Sequence, residues 1–201
     1  MPHVLLFGFT LRKINGYRMK KQLKILLAAD SFFVLAAGLF GPIYAVYVQQ
    51  IGGDLLTAGG AYSAFAFTSG ILIYLIGKWE DHVKHLDKLL IASYALSCFG
   101  FVGYLLIQRP LHLFAVQIVF GIAGAINKPA YDALYSKYLA KTKAASQWGA
   151  WEGMVWISSA IGAVVGGYIA QIYGFRTLFT IMLGISIIGL IAVSFLVKKS
   201  K

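Results

Sequence analysis

Four polar side chains that could bind a ligand or carry a proton lie inside long apolar stretches of this sequence. Two are carboxylates, Asp30 and Glu152, and two are amides, Gln117 and Asn127. An ionisable group is costly to bury in an apolar medium, so each carboxylate is a candidate for binding a proton or a cation. The sequence contains no nucleotide-binding loop, metal-ligand set or nucleophile–base arrangement, so we expect neither an enzyme nor a cofactor.

Asp30 belongs to a stripe along one predicted helix. The stripe continues through Phe33, Ala37, Phe40, Gly41 and Tyr44. A buried Asp30 could carry a proton. A carboxylate so near the start of its helix could instead be hydrated or paired with Lys24. The sequence leaves both interpretations open, and we take Asp30, Phe33, Phe40 and Tyr44 as candidates for lining a pathway.

Glu152 lies one turn into a later apolar segment, among three tryptophans. These are Trp148, Trp151 and Trp156. A carboxylate among aromatic faces suits a cation or proton site. The alternative is an acidic residue favoured by the dipole at a helix N-terminus. We favour the first interpretation and add Glu152 and Trp156 to the pathway candidates.

A broad polar face runs along the segment that contains both amides. Its members are Gln117, Gly121, Gly124, Asn127, Lys128 and Tyr131. Gln117 and Asn127 could hydrogen-bond a substrate or another helix, and Tyr131 adds a hydroxyl group. Lys128 and Asp132 are one turn apart and are expected to neutralise each other.

A stripe of small residues repeats at four-residue intervals after Glu152. It consists of Ser158, Gly162, Gly166 and Ala170. On a helix this spacing makes one continuous face that another backbone can approach closely, and in lipid such packing drives helix association. We expect this face to contact a second copy of the chain.

The composition is that of an integral membrane protein. Hydrophobic residues make up 59% and charged residues 12% of the chain, against about half and about a quarter in soluble domains. Six apolar segments, each long enough for about 30 Å of hydrocarbon, lie near residues 25–48, 56–76, 88–107, 111–135, 148–172 and 176–197. We predict an all-α protein with a basic N-terminal segment, residues 1–24, and a six-helix transmembrane domain, residues 25–201.

The 18 Lys and Arg residues are distributed unevenly about the predicted helices. Only Arg109 and Arg176 fall on one side, and all the others fall on the opposite side. Because basic loops stay in the cytoplasm, both termini are predicted to be cytoplasmic in a plasma or inner membrane. The basic residues flank apolar segments and form no separate basic domain, so nucleic acid is not an expected partner despite the net charge of +11.

A weak internal symmetry relates the first and fourth segments. Each has a proline followed two residues later by a tyrosine, Pro42 with Tyr44 and Pro129 with Tyr131. Two inverted three-helix repeats would place two interrupted helices at mirrored depths, which is typical of a transport site. The alternative is that each proline only kinks its helix.

Five short stretches carry a resemblance to a known family. They are residues 51–59, 77–81, 117–121, 162–167 and 174–179. Their order and spacing resemble those of the N-terminal half of a major facilitator superfamily transporter over about residues 25–197. Two departures bear on coupling: Gln117 stands where the family often has arginine, and Ala163 replaces the proline of the antiporter motif.

The resemblance implies twelve helices in two halves around a central cavity. The first and fourth helices of each half would line the cavity, and the second and fifth would lie between the halves. It also implies that Asp81 caps a helix of the opposite half, so we assign Gly77 and Asp81 to the interface and gate. One half alone leaves polar groups exposed to lipid, and a parallel homodimer would cover them.

The expected function is that of a half-size secondary transporter working as a homodimer by alternating access. Its expected cargo is a lipophilic or weakly cationic small molecule exported at the expense of a proton gradient. One alternative is transport of sugars or other neutral polar solutes. Another is a membrane adapter without transport activity, or a half that pairs with a different chain. The expected partners are thus a second copy, a small-molecule substrate, protons and the lipid bilayer.

Overall fold

The computed structural model describes residues 19–197, which form helices joined by short turns. In chain order the helices are α1 (Lys21–Gly38), α2 (Tyr44–Gln50), α3 (Leu55–Glu80), α4 (Leu86–Leu105), α5 (Pro110–Tyr138) and α6 (Ala144–Val197). Residues 1–18 of the predicted basic segment and residues 198–201 of the predicted cytoplasmic C-terminus lie outside the described residues. The prediction of an all-α membrane protein is confirmed at the level of helix content and apolar length.

Within residues 19–197, five helical stretches are long and apolar enough to cross a membrane. They are Lys21–Gln50, Leu55–Glu80, Leu86–Leu105, Pro110–Tyr138 and Ala144–Leu196. The last stretch belongs to α6, which has 54 residues. A straight helix of that length would extend about 80 Å, whereas the hydrocarbon core is about 30 Å thick.

The helix α6 is interrupted at Gly174. Its φ of 79° and ψ of 166° are not helical, and glycine adopts such a positive φ at little cost. We call residues 144–173 α6a and residues 175–197 α6b. The two parts pass α1 in opposite directions, through the pairs Asp30–Trp151 and Leu39–Gly166 for α6a and the pairs Phe40–Phe179 and Ala29–Gly189 for α6b.

The two prolines of the predicted symmetry behave differently. Pro42 lies in a 3-10 turn, Gly41–Ile43, that separates α1 from α2. Pro129 lies inside α5, which continues as a helix from Pro110 to Tyr138. The prediction of two interrupted helices is therefore wrong for the fourth segment. A single proline removes one backbone hydrogen bond, and the flanking turns of a 29-residue helix preserve the helical geometry.

The stripe of small residues packs against α1 of the same chain. A Cβ added at Gly162 would lie 2.8 Å from the carbonyl carbon of Gly38, and one at Gly166 would overlap the carbonyl oxygen of Leu39. The carbonyl oxygen of Ser158 also lies near Gly38, and Ala170 packs against the adjacent buried cluster. The expectation that this stripe faces a second copy is therefore wrong, because α1 already occupies it.

A similar close approach joins α3 and α5. A Cβ at Gly121 would lie 2.8 Å from the Cβ of Thr68, and the Ser69 hydroxyl donates a hydrogen bond to the Gly121 carbonyl oxygen at 3.2 Å. Further along both helices, Gly77 approaches Pro129. The contacts advance in the same direction along both sequences, so α3 and α5 run parallel, as do α1 and α6a.

Buried apolar side chains form two clusters towards opposite ends of the helices. One lies where α1 and α4 begin and α5 ends, and it includes Leu23, Leu90 and Tyr135. We call this the lysine-rich end, because it adjoins most of the lysines. The other cluster includes Tyr47 and Phe179. It adjoins the connections after α2 and α4 and the break at Gly174, and we call this the far end.

Asp54 starts α3 at the far end. Its side chain accepts hydrogen bonds from the hydroxyl group and from the backbone N–H of Thr57, both at 2.7 Å. These bonds satisfy an otherwise free donor of the first helical turn. The hydroxyl and then the backbone hydrogen bond hold the pKa of Asp54 below its usual value. The carboxylate of Asp54 is therefore engaged by its own helix.

Candidate functional site

A cavity of about 380 Å³ lies between α1, α3, α4, α5 and α6b. Its lining residues are Phe33, Ala37, Phe40, Gly41, Tyr44, Tyr62, Phe65, Ser97, Phe101, Tyr104, Gln117, Phe120, Gly124, Asn127 and Met182. Among these described residues none carries a charge, and eight are aromatic. A largely apolar cavity of a few hundred Å³ with a few polar groups is typical of a small-molecule site.

Five of the predicted pathway residues line this central cavity. They are Phe33, Phe40, Tyr44, Gln117 and Asn127. The first three come from α1, the turn after it and the start of α2, and the two amides come from α5. The structure thus brings the aromatic stripe and the polar face to the same space.

The polar groups of the cavity are not equally free to bind a ligand. Asn127 donates a hydrogen bond to the Ser93 hydroxyl oxygen of α4 at 3.0 Å, which is the helix-to-helix contact considered as an alternative for this amide. The hydroxyl of Tyr44 is buried without a hydrogen-bond partner among the described residues. Gln117 is buried at the cavity wall. Tyr44 and Gln117 are therefore the better placed groups for contacting a polar atom of a ligand.

Sequence reasoning missed the contribution of α4 to the cavity wall. Ser97, Phe101 and Tyr104 line the cavity together with Tyr62 and Phe65 of α3. The spacing 97, 101, 104 places three side chains on one face of a helix, and this signal was available in the sequence. It carries no charged residue, and aromatic residues at helical spacing are equally typical of an ordinary core.

Asp30 lies outside the cavity lining, one turn from Phe33 towards the lysine-rich end. Its carboxylate is buried and accepts a hydrogen bond from the indole N–H of Trp151 at 2.6 Å. The hydroxyl groups of Tyr94 and Tyr131 are buried. The Tyr131 ring centre lies 6.0 Å from that of Trp151, and the Tyr94 ring centre lies 5.6 Å from that of Phe33. Tyr131 therefore belongs to the surroundings of Asp30 and does not line the cavity.

The Asp30 site borders an ion pair. Lys128 and Asp132 lie 3.0 Å apart, which confirms their predicted mutual neutralisation. The Lys128 ammonium also lies 5.1 Å from the centre of the Trp151 ring, within reach of a cation–π interaction. Trp151 thus links Asp30 of α1 to Lys128 of α5. The alternative pairing of Asp30 with Lys24, both described residues, is not observed.

Glu152 and Trp156 do not form the predicted cation pocket. Both side chains are exposed on the outer face of α6a, and Trp156 is 71% exposed. Trp148 and Trp151 instead turn towards α5 and pack on Tyr135. Helical geometry explains the error, because residues 151 and 152 point about 100° apart. The expectation that three tryptophans surround Glu152 is wrong.

Gly77 and Asp81 lie at the lysine-rich end of α3. Gly77 faces Pro129 of α5, and Asp81 is exposed immediately after the helix. Between them Glu80 is buried, and both of its carboxylate oxygens have no partner among the described residues. This geometry describes one chain only, so a contact of Asp81 with an opposite half stays a prediction.

Comparison with known proteins identifies the family. Residues 26–201 match the family described as the Major Facilitator Superfamily, which is more than half of the chain. The chain belongs to the major facilitator superfamily. The resemblance inferred from the motifs is thus confirmed. Members of this superfamily are transporters and not enzymes, and their helices cross a membrane.

Named relatives share low sequence identity with this superfamily member. The multidrug resistance protein MdtG of Yersinia enterocolitica is 22% identical over 171 residues, covering 83% of this chain and 41% of MdtG. MdtG of Proteus mirabilis is 24% identical over 174 residues, covering 85% and 43%. An uncharacterized MFS-type transporter of Bacillus subtilis, YitZ, is 22% identical over 149 residues, covering 72% of this chain and 87% of YitZ. The chain therefore spans about two fifths of the MdtG proteins and most of YitZ.

Proposed function

We propose that this chain is a half-size secondary transporter that works as a homodimer by alternating access. In this proposal α6a and α6b are separate membrane spans, which gives six spans in all. The pairs α1 with α6a and α3 with α5 would then be equivalent contacts of two inverted three-helix repeats. The lysine-rich end would face the cytoplasm, because basic residues concentrate there.

The observation that carries the proposal is the uncharged, aromatic central cavity. Aromatic faces favour flat lipophilic molecules and attract cations without requiring a carboxylate. Export of lipophilic or weakly cationic compounds is therefore the first candidate activity. The MdtG relatives are named multidrug resistance proteins, which agrees with this choice. The free hydroxyl of Tyr44 and the amide of Gln117 favour the second candidate, a neutral polar solute such as a sugar.

Asp30 is the proposed proton carrier. It is a buried carboxylate that accepts a hydrogen bond from Trp151, and Trp151 also packs on Tyr131. Protonation of such a carboxylate removes a charge that is costly in an apolar medium. Phe33 lines the central cavity one turn along α1 from Asp30, so a change of charge at Asp30 can alter the packing of the cavity wall.

Completion by a second copy is proposed because α3 is poorly covered. Only 6% of the apolar stretch of α3 is buried, against 33–39% in the other four stretches. In α6a the face opposite Gly162 and Gly166 is also exposed, and Val164 is 76% exposed. We propose that α3 and this face of α6a contact the partner, so that the interface differs from the small-residue stripe.

Transport by this chain alone is tested by counterflow in liposomes that contain no other protein. We expect exchange of labelled ethidium, a flat lipophilic cation whose aromatic amino groups can hydrogen-bond, and no exchange of labelled glucose. Gln117→Leu should raise the KM about two- to tenfold through loss of one hydrogen bond. The matched change Gln171→Leu, on an exposed surface position, should leave the KM unaltered. Exchange of glucose alone would favour the second candidate, and folded protein that exchanges neither would favour the adapter.

The role of Asp30 is tested separately from binding. Asp30→Asn should retain counterflow but lose accumulation driven by a pH gradient, because the amide cannot take up a proton. Asp87→Asn, at a buried carboxylate elsewhere at the lysine-rich end, should retain both. Undiminished gradient-driven accumulation in Asp30→Asn would refute proton carriage by this residue.

The homodimer is tested by cysteine cross-linking in a Cys98→Ser background. Phe67→Cys in α3 and Val164→Cys in α6a should form dimers in membranes, since both positions are exposed and lie on the proposed interface. Ile191→Cys, which is 55% exposed on α6b, should remain monomeric. Equal cross-linking at all three positions, or none in an active preparation, would contradict the proposed interface.

A further inference from the structure

A second cavity, of about 640 Å³, lies at the far end of the bundle. Its lining residues are Tyr47, Gln50, Ile51, Tyr104, Leu105, Leu106, Ile107, Gln108, Tyr173, Gly174, Phe175, Arg176 and Phe179. They come from the end of α2, the end of α4 and the break between α6a and α6b. We call this space the vestibule, and its volume is in the range of small-molecule sites.

A layer of aromatic rings separates the vestibule from the central cavity. Tyr104 contacts both spaces and stacks on Phe179, with ring centres 5.0 Å apart and an interplanar angle of 18°. Phe40 packs edge-on against both rings at 5.1 Å. Tyr47 packs edge-on against Phe179 at 4.9 Å. The vestibule is therefore a distinct site, and its ligand would not have to be the cargo of the central cavity.

The charge of the vestibule differs from that of the central cavity. Its lining contains one cation, Arg176, and no carboxylate among the described residues. Within residues 19–197 no carboxylate lies within ion-pair distance of Arg176. The acidic residue of the adjoining connection, Asp54, is already engaged by Thr57. The guanidinium of Arg176 is therefore available for an external anion.

The other walls of the vestibule suit an apolar body with a polar edge. Phe175 is half-buried and offers aromatic surface to the vestibule, with its ring centre 5.0 Å from that of the buried Tyr47. The amides of Gln50 and Gln108 can donate further hydrogen bonds. An arginine guanidinium pairs with a carboxylate or a phosphate through two parallel hydrogen bonds, and it is less strongly hydrated than an ammonium group.

We propose that the vestibule binds an amphiphilic anion, with its carboxylate or phosphate on Arg176 and its apolar body against the ring of Phe175. The proposal does not depend on the cargo or coupling of the central cavity. It assigns to Arg176 a role in binding at the far end, in addition to any contribution to topology. Two sources share this chemistry: a soluble aromatic acid and the headgroup of an anionic lipid.

Binding of 2-naphthoate to purified protein in nanodiscs of zwitterionic lipid tests the proposal. Loss of the charge-assisted hydrogen bonds in Arg176→Gln should weaken binding about tenfold or more. Arg109→Gln removes the other arginine of the far end, which does not line the vestibule, and should leave the dissociation constant within about twofold. 2-Naphthylmethanol, which lacks the charge, should bind weakly and equally to all three proteins. Equal affinity of naphthoate for wild type and Arg176→Gln, or an equal loss in both arginine variants, would overturn the proposal.

The same measurement in nanodiscs that contain phosphatidylglycerol distinguishes the two sources. If a lipid phosphate occupies the site, naphthoate affinity should fall several-fold in the wild type and remain unchanged in Arg176→Gln. If the site takes soluble acids only, the lipid should have no effect on either protein. Phe175→Leu should weaken naphthoate binding in both lipid mixtures, because it removes aromatic surface and retains Arg176. Unaltered naphthoate binding in Phe175→Leu would contradict the proposed contact between the apolar body of the ligand and this aromatic ring.

Discussion

A methyl group at position 166 would overlap the carbonyl oxygen of Leu39, because α1 and α6a touch there through backbone atoms. Gly166→Ala therefore forces the two helices apart at their closest point. Gly167, the next residue, has no atom within 4 Å of an added Cβ. Comparing Gly166→Ala with Gly167→Ala therefore tests the same chemical change at a position in contact with α1 and at a neighbouring position without that contact.

The expected difference follows from two opposing effects. Overpacking typically costs about 1–3 kcal/mol of stability. The cost for Gly166→Ala should be about 3 kcal/mol, because the added methyl group would clash with backbone atoms that cannot rotate away. Alanine is favoured over glycine in a helix interior by about 1 kcal/mol. The net loss for Gly166→Ala is then about 2 kcal/mol, equivalent to a Tm lower by about 4–8 °C for a chain of this size. Gly167→Ala should keep or slightly raise the Tm.

The assay can use the single cysteine of the chain. Cys98 is buried, so a thiol-reactive fluorophore should label the protein only as it unfolds. Measurement in a detergent that keeps the protein monomeric separates packing within the chain from dimerisation. If Gly166→Ala melts like the wild type under these conditions, or if Gly167→Ala lowers the Tm equally, the packing of the small-residue stripe against α1 is refuted.

Two further substitutions test other contacts of the bundle. Trp151→Phe removes the donor to Asp30 and should destabilise the protein by about 1–3 kcal/mol, as expected for a buried polar group left without its partner. Trp148→Phe leaves that hydrogen bond intact and should lower the Tm less in the same thermal assay. The methyl group added by Gly121→Ala would clash with Thr68 and should lower the Tm. Gly124→Ala, whose added Cβ would have its nearest neighbour 3.7 Å away, should not lower it. A lower Tm for Gly121→Ala than for Gly124→Ala would support the contact between α3 and α5, and equal values would contradict it.

Several features of the site were predictable from residue type and spacing. The spacing of Phe33, Phe40 and Tyr44 predicted a shared face, and the structure places these three side chains in the central cavity with Gln117 and Asn127, although a 3-10 turn separates α1 from α2. The ion pair between Lys128 and Asp132 also follows from a four-residue spacing, because residues one turn apart are neighbours whatever the rest of the fold does.

Predictions from the sequence were wrong where two faces of one helix could each pack against another helix. The small-residue stripe of α6a indicated a close helix contact, but not whether the contact was with α1 or with another chain. Glu152 and Trp151 are adjacent in sequence, yet only Trp151 faces the bundle. The periodicity of a sequence defines one face of a helix but not the element that packs against it. The partner of the small-residue stripe and the surroundings of Glu152 therefore became known only from the packing of all helices.

The order of five short motifs along the chain indicated the superfamily. The sequence by itself also determined the membrane setting, the helical class and five of the fifteen residues that line the central cavity. These properties depend on local composition and on spacing within single helices. Only the tertiary structure decided that α1 occupies the glycine stripe, that Trp151 holds Asp30, and that a vestibule with Arg176 lies beyond an aromatic layer. Each of these involves residues far apart in the chain, and their distances depend on how α1, α4, α5 and α6 pack together.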